Sequence, residues 1–138
     1  MLLDGPEHAS ETIGRIAQRG VRFALDDFGT GYSSLAYLKR LPVREIKIDR
    51  SFVMTMDTDE DDATIVRSTI ELGRNLGLEV VAEGVENQAT LERLRELGCT
   101  LAQGYHLSRP VPPAELEDWL QRWHRAPEYP GHLWTGKA

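Results

Sequence analysis

The feature of this 138-residue chain that most restricts its fold is an alternation. Four short apolar runs, at 21–25, 43–48, 78–82 and 100–103, are separated by stretches in which apolar residues recur every three or four positions. The short runs suit buried strands, and the recurring pattern suits amphipathic helices. Strands that alternate with helices pair in parallel through right-handed crossovers. The expected class is therefore α/β, with about four parallel strands alternating with helices.

Punctuation residues support each helix. Residues 7–19 read as a helix with Ile13, Ile16 and Ala17 on one face and Gly20 at its C-terminal stop. The first strand, 21–25, then gives way to a Gly-rich turn at 26–32. Ser33 caps a short helix with a Leu35, Leu38 and Leu41 stripe, which Pro42 ends. Residues 58–77 hold a longer helix, with Ile65, Thr69, Leu72 and Leu76 on one side and Gly77 as its stop. Asn87 is an N-cap for a helix bearing Leu91, Leu94 and Leu97, ended by Gly98. Pro112 and Pro113 open a last helix with Leu116, Trp119, Leu120 and Trp123 as its apolar face. Beyond Arg125, Pro, Gly and charged residues dominate, and 125–138 read as a loosely ordered tail.

Composition excludes several functions. Hydrophobic residues make up 41% and charged residues 28%, which fits a globular chain. A net charge of −6 opposes DNA binding, which needs basic surface to displace counterions. A single cysteine, Cys99, rules out an intrachain disulfide and suits a reducing compartment. The first residues lack the basic and apolar regions of a signal peptide. No apolar run reaches the ~18 residues of a membrane-spanning helix. A cytoplasmic location is expected.

The chemistry gathers where the runs end. The first ends at Asp26-Asp27. Lys47 lies between Ile46 and Ile48 and so faces away from both. The third ends at Glu83, followed by Gly84 and Glu86, and the fourth at Gln103-Gly104. Taken singly, paired aspartates before a Gly-rich turn are more often a turn device, and a Lys in a strand is more often a solvent-facing residue. Their shared placement changes that balance, because the C-terminal edge of a parallel sheet is where ligands bind. Carboxylates suit hard cations such as Mg²⁺ or Mn²⁺. Two such cations can grip a phosphoryl oxygen and activate a water, a nearby Lys can meet developing negative charge, and a Glu can accept the proton.

Four stretches carry a resemblance. Residues 24–35, ALDDFGTGYSSL, are similar to the DDFGTGYSSL signature of EAL domains. Residues 46–53, IKIDRSFV, 80–86, VVAEGVE, and the QGY and SRP of 103–110 resemble that family's remaining motifs in order and spacing. The resemblance covers residues 1–124. It implies a partial TIM-like (β/α) barrel and hydrolysis of cyclic di-GMP to linear pGpG with Mg²⁺ or Mn²⁺. By motif, Asp26 and Asp27 would be metal ligands, and Glu83 a metal ligand or general base. Lys47 would sit near the attacking water, Gln103 would orient it, and Glu86 would brace the loop after Asp27. That loop would also serve a homodimer interface, and a sensory or diguanylate cyclase domain could precede the segment.

The family's Glu-Ala-Leu motif and the ligands of the next strands have no counterpart here. The resemblance therefore implies the C-terminal half of an EAL domain, weak or inactive as this chain alone. The alternative is a catalytically incompetent module that binds a nucleotide or a protein.

Overall fold

The computed structural model describes residues 6–30 and 35–125. The elements run α1 (Pro6–Ala17), β1 (Phe23–Phe28), α2 (Leu35–Arg40), β2 (Val43–Ile48), α3 (Arg50–Val53), α4 (Glu60–Leu76), β3 (Glu79–Glu83), α5 (Gln88–Glu96), β4 (Leu101–Gln103) and α6 (Pro113–Arg125). The strands form one sheet in the order β1-β2-β3-β4, and every neighbouring pair is parallel. The α/β class and the count of four parallel strands hold.

The sheet buries one face under α2–α5. Ile48, Val80 and Ala82 from the strands meet Val66 and Ile70 of α4 and Leu91 and Leu94 of α5 in one cluster. A second cluster joins Phe28, Val43 and Ile46 to Leu38 of α2. Ile46, Ile48, Ile70 and Leu94 are almost wholly removed from water, and each such side chain contributes about 1.5–3 kcal/mol.

The caps follow the sequence. Asp59 accepts the backbone N–H groups of Asp61 and Asp62 at the start of α4, and Gly77 ends that helix in the left-handed region at φ 69°. Asn87 accepts the Thr90 N–H at 2.8 Å to open α5.

Several expectations change. The first strand extends through Asp26 and Asp27 to Phe28, so the turn starts at Gly29 and not at Asp26. The third strand ends one residue later, at Glu83. The buried side of α4 is Ala63, Val66, Ile70 and Gly73 together with Thr69. Leu76 is 50% exposed, and Ile65 and Leu72 flank the contact. The cause is Gly73: a Cβ there would lie 2.2 Å from Val80 Cγ2, so the helix meets β3 along its small-residue side. The short helix α3 has no counterpart in the expected pattern. Leu116 and Leu120 of α6, expected to be core, are 46% and 41% exposed, and no residue of α6 is buried. Ser33 and residues 126–138 lie outside the described residues.

Candidate metal centre

Adjacent strand residues normally point to opposite faces, so Asp26 and Asp27 should not share a site. A bulge brings them together. The β1–β2 register runs from Leu25↔Ile46 to Phe28↔Ile48, three residues against two, and Asp27 adopts φ 51°. A non-glycine residue in that region is uncommon and costs of order 1–3 kcal/mol. The Thr30 N–H and hydroxyl both donate to the Asp27 carbonyl, at 3.1 and 2.7 Å, and hold the conformation.

One carboxylate oxygen each from Asp26, Asp27 and Glu83 lies within 4.8 Å of the others. Asp26 and Asp27 are exposed and Glu83 is half-buried. Lys47 Nζ stands 3.4 Å from Glu83 Oε1. Gln103 is the register partner of Glu83 across β3 and β4. The five residues read from the strand ends therefore meet on one rim.

Asp49 joins them and was not among the residues singled out from sequence. Its carboxyl is hydrogen-bonded to that of Asp27. The Ser51 hydroxyl and backbone N–H donate to Asp49 and hold its acidity below the usual carboxylate range. Asp27 is raised instead, first by the charge of Asp26, then by partial desolvation and by Asp49, with Lys47 opposing. The two neighbouring carboxyls are thus shifted in opposite directions. Position two residues after Lys47, at the end of β2, was the signal that could have marked Asp49.

The loops after β3 and β4 fix Glu83 and Gln103. Val85 donates its N–H to the Gln103 carbonyl at 3.1 Å, and His106 donates to the Val85 carbonyl at 3.0 Å. Gly104 permits this, because a Cβ there would fall 2.1 Å from the Val85 oxygen. Beside Gln103 opens a cleft of about 360 Å³, lined also by Tyr105, Ser108, Arg109 and Trp119. The Arg109 guanidinium lies 4.5 Å from the centroid of the Tyr105 ring. Glu86 is exposed, and residues 31–34 of the loop it was expected to brace lie outside the described residues.

The donor set fits a hard divalent cation. It is all oxygen, anionic and open to water, which is the chemistry Mg²⁺ and Mn²⁺ accept. The mutual repulsion that raises Asp27 is what a cation among these carboxylates would relieve.

Comparison with known proteins agrees with this geometry. The family model described as the EAL domain matches residues 2–110. The chain is 53% identical over 102 residues to the bifunctional diguanylate cyclase/cyclic di-GMP phosphodiesterase MucR of Pseudomonas aeruginosa, covering 74% of this chain and 15% of that protein. It superposes on the MucR phosphodiesterase in complex with c-di-GMP with a TM-score of 0.77 at 47% identity, covering 83% of this chain and 46% of that one. For the manganese and cyclic di-GMP complex of BlrP1 from Klebsiella pneumoniae, the TM-score is 0.72 at 33% identity, over 79% of this chain and 28% of that one. The chain thus spans under half the length of each of these relatives, and their EAL structures share its barrel-like (β/α) architecture. This chain belongs to the EAL-domain family and forms part of such a domain.

Proposed function

We propose that the EAL domain containing this segment hydrolyses cyclic di-GMP to linear pGpG in the cytoplasm, and that the 138-residue chain alone turns it over weakly or not at all. The observation that supports this reading is the meeting of Asp26, Asp27 and Glu83 on one rim, with Lys47 at 3.4 Å from Glu83.

Each residue then has a task. Asp26, Asp27 and Glu83 would hold Mg²⁺ or Mn²⁺, which when bound would supply Lewis-acid polarisation of the phosphate and lower the pKa of a bound water. Lys47 places a positive charge where the pentavalent phosphate gains negative charge. Glu83 is also placed to accept the water's proton, and Gln103 to orient water or phosphate through its amide. Glu86 supports the loop after Asp27. The cleft lined by Tyr105 and Arg109 adjoins Gln103 and has the aromatic and cationic character a guanine and its phosphate require. A homodimer through the loop after Asp27, and a sensory or cyclase domain upstream as the name of MucR suggests, belong to the same reading.

A second reading is a binding module without turnover. One observation favours it: the described residues offer a single group of three clustered acids, fewer than a two-cation site uses. The two separate in one assay. The purified chain, and the same segment joined to the first half of an EAL domain, are incubated with Mn²⁺ and cyclic di-GMP. The phosphodiesterase reading expects linear product from the joined protein, abolished by Asp26→Asn. Nucleotide binding with no product from the joined protein would replace it with the binding module.

A further inference from the structure

One short helix touches both loops that carry the clustered carboxylates. Helix α3 is anchored by Val53 and, just beyond it, Met56, both wholly buried in the larger core cluster. Its N-cap residue, Asp49, is hydrogen-bonded to the Asp27 carboxyl. Its Arg50 backs onto Gly84, the residue after Glu83: a Cβ at Gly84 would lie 2.6 Å from Arg50 Cβ and 3.2 Å from Arg50 Cα. Its Phe52 reaches toward the loop after β1. A Cβ at Gly29 would lie 2.9 Å from Phe52 Cε2, with Cδ2 and Cζ at 3.5 Å, so the ring edge fills the space where a side chain at 29 would stand.

Gly29 is the third residue of the turn that holds Asp27 in place. The Thr30 N–H closes that turn on the Asp27 carbonyl, and Gly29 takes φ 99°. Positive φ at the third position of a turn suits glycine, which brings no side chain to fix the turn. Asp27 itself sits at φ 51°, a conformation that persists only where the surroundings enforce it. The second bond to its carbonyl, from the Thr30 hydroxyl, is exposed, and water competes for it. The Phe52 ring supplies what the turn lacks. It is half-buried and packs against the cluster of Ile48, Val53 and Met56, so an opened turn would bare its edge to water. Cation ligands must be held to within about 0.5 Å, and a loosened turn would let the Asp27 carboxylate swing away from Asp26 and Glu83.

We propose that Phe52 is a positioning residue of the metal centre: seated against Gly29 from the core-anchored helix α3, it holds the Asp27–Thr30 turn closed and keeps the Asp27 carboxylate in register with Glu83. The positioning role rests on the metal reading of these carboxylates, whereas the grip of the ring on the turn does not.

The test uses two readouts on the full chain: hydrogen exchange of the Thr30 amide by NMR without metal, and Mn²⁺ affinity by calorimetry. Phe52→Leu keeps an apolar side chain in the core and removes the ring. Gly29→Ala, at an exposed position, drives a Cβ against the ring and carries the same test should Phe52→Leu not fold. Ile70→Val, in the same core cluster, is the control. The expected result for Phe52→Leu is Thr30 exchange at least tenfold faster and Mn²⁺ affinity at least tenfold weaker, with the Ile48 and Ala82 amides still protected. Ile70→Val should move neither readout. The Gly29→Ala and Phe52→Leu losses should not add in the double variant, because both act through one contact. Parent-like Thr30 exchange in Phe52→Leu, faster exchange with unchanged Mn²⁺ affinity, additive losses, or equal losses in Ile70→Val would each overturn the role of Phe52. A parent that binds no Mn²⁺, with Thr30 exchange still dependent on the ring, would support the grip on the turn and overturn the metal reading.

Discussion

Gly104→Ala should damage both the fold and the site, and its cost can be worked from contacts. The new Cβ would lie 2.1 Å from the Val85 oxygen, 2.3 Å from its nitrogen and 2.7 Å from its carbonyl carbon. All three are backbone atoms, so no side chain can swing away and the loops after β3 and β4 must separate. Separation strains or breaks the Val85 to Gln103 and His106 to Val85 hydrogen bonds, each contributing about 1 kcal/mol. Residual overpacking adds about 1–3 kcal/mol. Loss of glycine freedom in the unfolded chain returns about 0.4–1 kcal/mol. The net expectation is a destabilisation of about 2–4 kcal/mol, read by urea unfolding at one fixed protein concentration. Mn²⁺ affinity measured by calorimetry should fall tenfold or more, because Glu83 and Gln103 are held by these loops. Gly14→Ala is the control: nothing lies within 4 Å of its added Cβ, and in the interior of α1 it should gain up to about 1 kcal/mol. A Gly104→Ala chain within about 0.5 kcal/mol of the parent would refute the close approach of the two loops.

Other outcomes follow from single groups. Glu83→Gln, in a joined EAL domain, should lower turnover by orders of magnitude while cyclic di-GMP binding is largely kept; unaltered turnover would remove Glu83 from the chemistry. Asn87→Ala removes the acceptor for the Thr90 N–H and should cost about 1 kcal/mol in urea unfolding, whereas no change would mean the cap is not used. Cys99 is 7% exposed, and burial pushes its thiol from 9.0 to about 11. Iodoacetamide at pH 8 should therefore react at least a hundredfold faster in urea than in the native chain. Its neutral form favours the fold: that stability is fully present below about pH 9 and is lost as pH rises through about 11, at most about 3 kcal/mol at 1.4 kcal/mol per pH unit. Equal alkali sensitivity of Cys99→Ala and the parent would contradict this.

What the sequence made legible, and what it hid, divides by the range of the forces involved. The alternation of apolar runs and helical stripes is a local record of burial, so β2 at Val43–Ile48 and the caps at Asn87 and Gly77 could be read directly. The buried side of α4 could not. Leu72 packs against the Val43 and Ile46 cluster, but Leu76, though more apolar than Gly73, stays 50% exposed, and Gly73 makes the closest approach because Val80 Cγ2 leaves no room there for a Cβ. That distance belongs to the pair of elements, and neither sequence stretch contains it. The site shows the same division. Asp26, Asp27, Lys47, Glu83 and Gln103 could be read because parallel strands carry their last residues to one edge. The bulge that lets two adjacent aspartates serve one centre, with φ 51° at Asp27, appears only once β1 has a register against β2. Asp49 was overlooked for a related reason: a residue just past a strand reads as a cap, and here it does cap α3 by accepting from Ser51. Its second contact, to the Asp27 carboxyl, is set by the neighbouring strand. The apolar stripe of α6 marks the remaining limit. It predicted a buried face, but burial needs a partner, and among the described residues α6 is met at its Trp side, where Trp119 and Trp123 stack with centroids 5.3 Å apart, the Trp119 N–H donates to the Leu107 carbonyl, and Trp123 borders a small cavity with Leu91, Leu101 and Leu107. Leu116 and Leu120 keep 46% and 41% of their surface in water, so an apolar stripe records a capacity for burial, and how much of it is used is decided by the elements that the rest of the fold brings against it.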